Sequence, residues 1–157
     1  MEFPNTDRVI QEFATVIRDD WRELLEREGY SASRLKYIPF TIKNDNQIYR
    51  INFSTVDYFY YFENGRRPGK RPPFEPIYNW VKKYNIIPRP YTLPNGKTTI
   101  PSQKSLAFLI QRSIGLKGTK GKHWWEPLLN DIIERYTVKI QEAVAMDLSA
   151  DIEKELE

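Results

Sequence analysis

The sequence predicts an α+β fold: an N-terminal helix, an antiparallel sheet built on a hairpin, two mid-chain helices and a long C-terminal helix. Three observations carry this. Apolar residues recur every three or four positions in four segments, as in helices buried on one side. Two short runs alternate apolar and polar residues around a cluster of turn formers, as in a half-buried hairpin. Proline and glycine fill the stretches between, where neither period survives. At 157 residues the chain can bury a core without covalent staples. It reads as one domain, 1–157, from which helix 125–157 is a candidate to project.

Residues 6–28 place Val9, Ile10, Phe13, Ile17, Trp21, Leu24 and Leu25 on one helical face. Asn5 or Thr6 can cap the start and Gly29 the end; Asp19, Asp20, Glu23 and Glu26 fall largely on the solvent side. In 35–53, Ile38, Phe40 and Ile42 alternate, as do Tyr49, Ile51 and Phe53, around the turn formers Asn44, Asp45 and Asn46. Pro39 has no N–H, so its strand needs a free edge or a bulge. Residues 54–65 fit a short helix capped by Ser54, or a strand; the helix is preferred because Asp57 stands where a capping box has its acid. Arg66–Pro73 is too rich in proline for regular structure. A helix over 74–84 carries Phe74, Ile77, Trp80, Val81 and Tyr84, with Pro76 acceptable only in its first turn. Residues 86–101 hold four prolines and read as a long loop with a small hairpin at Asn95-Gly96. Ser102 caps a helix through Leu106, Leu109, Ile110 and Ile114, stopped at Gly115, and 115–121 is expected to be mobile. The last helix, from 125, carries an apolar stripe of Leu128, Leu129, Ile132, Ile133, Tyr136, Ile140, Val144, Leu148, Ile152 and Leu156. At 1.5 Å per residue it would measure roughly 48 Å, longer than a globule of this size, so it must bend, break near Thr137–Val138 or Ser149, or project.

The net charge of +3 conceals an asymmetry. Residues 1–63 carry net −3, residues 126–157 net −6, and residues 64–125 thirteen bases against the single acid Glu75. Charge blocks can simply intermix on a folded surface. The sharper expectation is a basic surface that meets nucleic acid or an acidic partner.

Composition narrows the chemistry. With no cysteine, disulfides, thiolate nucleophiles and cysteine-ligated metals are excluded. His123 is the only histidine; no G-x-S-x-G elbow accompanies it, and it reads as a packing residue at a loop–helix junction. Glu63 and Glu75 flank the basic loop and are expected to pair with its arginines. The glycines and lysines of Gly115–Gly121 lack the spacing of a phosphate-binding loop. No catalytic residue, cofactor or metal is therefore expected. No apolar run is long enough for a membrane span, and the first residues lack the features of a signal peptide, so the chain is expected to be made and kept in the cytosol. Tyr58, Tyr60 and Tyr61 beside Arg66, Arg67, Lys70 and Arg71 mix aromatics with bases, as surfaces that stack on nucleic acid do.

The run Asp57-Tyr58-Phe59-Tyr60-Tyr61-Phe62-Glu63-Asn64-Gly65-Arg66 is followed by Pro68-Gly69-Lys70-Arg71-Pro72-Pro73, then Ile77-Tyr78-Asn79-Trp80-Val81, then Leu106-Ala107-Phe108-Leu109-Ile110-Gln111-Arg112-Ser113-Ile114 and Gly115. This ordered set resembles the tail-completion and head–tail connector proteins of tailed bacteriophages. The likeness is best over 57–122; the proline-rich stretch 88–101 departs from it. The resemblance implies a virion structural protein, assembled in the host cytoplasm as a homo-oligomeric ring, twelve-fold by that likeness. The ring would lie in the neck below the portal, joining portal or adaptor to tail proteins while double-stranded DNA passes without sequence readout. The residues expected to face a neighbouring subunit or the DNA are Arg66, Arg67, Lys70, Arg71, Lys117, Lys120 and Lys122, with Trp124 and Trp125 as interface anchors. The competing expectation is a small basic nucleic-acid-binding protein that acts without a ring; a hydrolase with an unrecognised carboxylate site is a third.

Overall fold

The computed structural model describes residues 3–46 and 48–156. In chain order the elements are α1 (Pro4–Arg27), β1 (Phe40–Asp45), β2 (Ile48–Phe53), α2 (Phe59–Asn64), β3 (Gly65–Arg66), α3 (Phe74–Lys83), β4 (Tyr91–Thr92), β5 (Thr98–Thr99), α4 (Gln103–Lys117), β6 (Thr119–Lys120) and α5 (Trp125–Leu156), with a 3-10 turn at Arg34–Lys36. The fold is α+β, as expected. Its strands form three separate antiparallel pairs, β1–β2, β3–β6 and β4–β5. The chain divides into two compact units: Met1–Glu63 with His123–Glu157, and the inserted Asn64–Lys122.

In the first unit the apolar face of α1 lies along α5. Val9, Ile17, Ile132, Tyr136 and Ala143 form one cluster; Trp21, Leu25, Leu35 and Ile38 form another. Trp21 is fully buried, and its indole Nε1 donates to the Leu35 carbonyl at 2.8 Å. The Tyr136 hydroxyl donates to Glu12 Oε1 at 2.7 Å; burial, then this bond, push it up to about 12. Hairpin β1–β2 pairs Phe40 with Phe53 and Asp45 with Ile48, so Asn44 and Asp45 lie within the strand. Asn46 takes positive φ (48°), a conformation asparagine tolerates in tight turns. β1 begins directly after Pro39, whose carbonyl accepts from Ser54 N. Ser54 thus prolongs the hairpin where a helix cap was expected, and α2 starts five residues later.

Two expectations for the helix ends are corrected. Asn5 and Thr6 lie inside the first turn of α1, behind Pro4, and are themselves capped from a distance. The buried carboxylate of Asp147 accepts from Asn5 N (3.1 Å), Asn5 Nδ2 (2.8 Å), Thr6 N (2.8 Å) and Thr6 Oγ1 (2.7 Å). Helix α5 is one uninterrupted helix of 32 residues, and its expected single stripe is two. A series of four-residue steps drifts about 40° per step, so Leu148 lies about 160° round the helix from Ile132. The buried face holds Ile132, Tyr136, Ala143 and Asp147. Leu148, Ile152 and Leu156 are exposed. Residue 157, the end of the expected helix, lies outside the described residues.

In the inserted unit α3 packs on α4, with Val81 and Ala107 buried. The Ser102 hydroxyl accepts from Ser105 N at 3.1 Å, the expected cap. The hairpin at Asn95-Gly96 forms as well, through β4–β5. Helix α4 runs past the expected stop at Gly115, which is buried against Arg71 where a Cβ would lie 2.7 Å from its Cγ. The helix ends instead at Gly118, with φ 71°. The stretch expected to be mobile is built into β6, which pairs Gly65 with Lys120 and Arg66 with Thr119. A Cβ on Gly118 would collide with the Arg66 carbonyl oxygen and lie 3.0 Å from Pro68 N. Gly118→Ala is therefore expected to cost at least about 2 kcal/mol, from left-handed strain plus displaced backbone. Gly29→Ala carries the strain alone, because a Cβ there meets nothing. Thermal unfolding of the two variants checks this, and an equal cost would refute the close approach at Gly118.

Candidate interaction surface

The inserted unit coincides almost residue for residue with the basic segment. It holds thirteen bases and one acid, a net +12, against −9 for the rest of the chain. One carboxylate, Glu75 in the first turn of α3, cannot neutralise thirteen cations, so the unit presents a positive field.

Its architecture joins two basic loops that are some fifty residues apart in the sequence. β3 leads out of α2 and β6 follows α4, and their pairing sets Arg66 opposite Thr119, beside Lys120. Gly69 N donates to the Gly115 carbonyl at 2.8 Å, and Gln111 Nε2 to the Pro72 carbonyl at 2.8 Å. Arg66 Nη2 closes the turn on the Lys70 carbonyl at 2.7 Å. The Arg71 guanidinium lies over the Phe108 ring, 5.8 Å from its centroid. The proline-rich loop is thus pinned to α4 at both ends. Arg66 and Arg67 come together with Lys117 and Lys120, with Lys70 and Arg71 on the same loop. Arg67, Lys70, Arg71, Lys117, Lys120 and Lys122 are exposed, and Arg66 is half-buried.

Trp124 and Trp125 belong to the first unit, half-buried and packed inward. Trp125 makes edge-on contacts with Trp21 (5.2 Å), Phe53 (5.7 Å) and Phe59 (5.6 Å). Trp124 meets Tyr30 (5.8 Å) and Phe62 (5.7 Å). Their role in the fold is to close the aromatic core where α5 begins. Glu63 also departs from expectation. Instead of pairing with the arginines it is buried, and its Oε2 accepts from Trp125 N at 2.9 Å, where a carboxylate complements the exposed N–H groups of a helix start. His123 sits at the expected junction, its N–H donating to the Glu63 carbonyl at 3.1 Å.

A groove went unread in the sequence. Phe74, Tyr91, Ile100, Lys104, Phe108 and Leu109 line a depression of 710 Å³ on the inserted unit, and Tyr91, Ile100, Phe108 and Leu109 are exposed. Its signal was the run Leu106-Ala107-Phe108-Leu109-Ile110. Five successive apolar residues at 100° intervals cannot all face one core, so some must face outward. Among the described residues no group of acids and histidine is placed to hold a metal ion, and no helix is long and apolar enough to cross a membrane. The chain matches no protein-family model, no curated protein and no solved structure.

Proposed function

We propose that this chain is a structural subunit of a bacteriophage virion: one member of a ring in the head–tail neck, through which the genome passes. The observation that carries the reading is that the ordered motifs of 57–122, which resemble connector and tail-completion proteins, fall from Asn64 onward in a compact basic unit whose loops are tied to α4. A ring needs one surface that docks on a neighbour and one that tolerates DNA. The Arg66–Arg71 loop suits the first, because its prolines and its bonds to α4 leave little conformational entropy to lose on docking. Lysines at 117, 120 and 122 suit the second, since contact with phosphate alone favours no register along a duplex. No bond is made or broken in this role, and no catalytic group is required.

The test is the assembly state. Sedimentation of the purified chain, alone and with portal and tail proteins, is expected to show a ring-sized species. Reversing Arg66, Arg67, Lys70 and Arg71 to Glu is expected to abolish that species while circular dichroism stays unchanged. Retained assembly with impaired genome passage would instead make the loop a channel lining. No effect on either would refute its role. The net +12 of the inserted unit also favours a second reading, a nucleic-acid-binding protein without a ring. That reading predicts a monomer whose DNA affinity falls steeply with salt.

A further inference from the structure

The far end of α5 presents a second, unused apolar face. Leu148, Ile152 and Leu156 stand at i, i+4 and i+8, with exposures of 42%, 58% and 82%, and span about 12 Å. They follow Asp147, the residue that meets the first turn of α1, so they belong to the part of α5 that continues beyond that contact. Asp151 and Glu155 flank the stripe one position before Ile152 and Leu156, and residues 148–156 carry three acids against the single base Lys154.

The groove of the inserted unit has the complementary character. Its exposed large residues are apolar and aromatic, Thr99, Ser102 and Ser105 add hydroxyls, its charged lining residue is Lys104, and no acid lines it. Arg71 lies over the wall residue Phe108. Amphipathic helices seat in such grooves through residues at this spacing, and the charges at the rim select the orientation.

We propose that this groove receives the Leu148–Leu156 stripe of a second copy of the chain. Leu148, Ile152 and Leu156 pack on Ile100, Phe108 and Leu109, and Asp151 and Glu155 meet Lys104 and Arg71 at the edge. The opposite charges of the two surfaces point to another copy as the occupant: each chain carries both the acidic stripe and the basic groove. The contact is head-to-tail, so each copy keeps one of each for the next, which propagates the assembly until rotation closes it. The proposal rests on the ring reading above and names the surfaces that join its subunits.

Because the chain has no cysteine, cross-linking tests this directly on the full-length protein. The double variant Leu109→Cys with Ile152→Cys, gently oxidised, is expected to give a ladder of covalent oligomers on a non-reducing gel. An equal mixture of the two single variants is expected to give mainly the mixed dimer. A fast-running monomer, closed by an internal disulfide, would overturn the second copy as occupant. An absence of mixed cross-links while the wild-type chain still sediments as an oligomer would overturn the groove and leave the ring reading standing. A wild-type chain that remains monomeric at every concentration, with and without portal and tail proteins, would overturn both. As a second measurement, Ile152→Glu with Leu156→Glu is expected to lower the assembled fraction at least tenfold at unchanged helicity; unaltered assembly of that variant would overturn the proposal.

Discussion

Trp21→Ala is expected to cost about 3–5 kcal/mol, the usual range for removing a large aromatic from a packed interior. Trp21 is fully buried, and its ring touches Phe59, Phe62 and Trp125 at centroid distances of 5.6, 6.3 and 5.2 Å. The substitution opens a cavity among them and leaves the Leu35 carbonyl without its indole donor. Against a total stability of about 5–15 kcal/mol, this is a large share. Trp21→Phe keeps most of the volume and loses only the hydrogen bond, so it is expected to cost about 1–3 kcal/mol. Urea unfolding followed by circular dichroism separates the two. Equal costs would mean that the hydrogen bond, and not the packing, dominates.

Asp147→Ala is expected to cost about 2–4 kcal/mol, because it strips four donors of one charged acceptor at a buried helix start. Burial alone would push the Asp147 carboxyl up. The Thr6 hydroxyl and N–H, then the Asn5 N–H and side chain, more than reverse this and hold it below the ordinary carboxylate value. A carboxylate depressed in the folded state stabilises the protein fully above its unfolded value. It loses that contribution as the pH falls through the lower, folded value. Stability of the wild type is therefore expected to decline on acidification from about pH 5 downward, and Asp147→Asn to flatten part of that decline. Glu12 and Asp19 are also held low, by Tyr136 and Lys139 and by Arg18 respectively, and supply the slope that remains in the variant. An Asp147→Asn variant with an unchanged acid slope would show that the carboxylate is not the titrating cap.

The helices and the principal hairpin were legible because each buries one face, and a buried face writes its period into the chain. Val9, Ile17, Trp21 and Leu25 do so in α1, and Phe40 and Ile42 opposite Phe53 and Ile51 do so in the hairpin. Local chemistry was legible too, as at Ser102 and Asn95-Gly96. Asp147 was not. An aspartate inside a helix reads as solvated, and nothing near it says that its partners stand 141 and 142 positions away. The stripe on α5 misled because four-residue steps look continuous in the sequence while they spiral round the helix. The basic residues of the candidate surface were legible as a charge run, but their gathering was not. That depends on the β3–β6 pairing, which two glycines allow through backbone approach and no side-chain pattern announces. The inward packing of Trp124 and Trp125 was hidden for a related reason: large aromatics suit a core and an interface equally well.

The inserted unit leaves the first unit at Glu63 and returns at His123, and those two residues are hydrogen-bonded to each other. During synthesis this imposes an order. α1 emerges first; Trp21 and Leu25 soon meet Leu35 and Ile38, but Val9 and Ile17 lack their α5 partners until that helix follows about a hundred residues later. Between them, the β1–β2 hairpin, the α3–α4 pair and the small β4–β5 hairpin can form from nearer neighbours, while the β3–β6 pair waits for α4. The clasp of Asn5 and Thr6 by Asp147 closes a loop of some 140 residues and comes last, since long-range closures are the slow ones. Until then a nascent chain leaves Val9 and Ile17 without their α5 partners, which makes the interval between the two helices the period in which this protein most needs protection from aggregation.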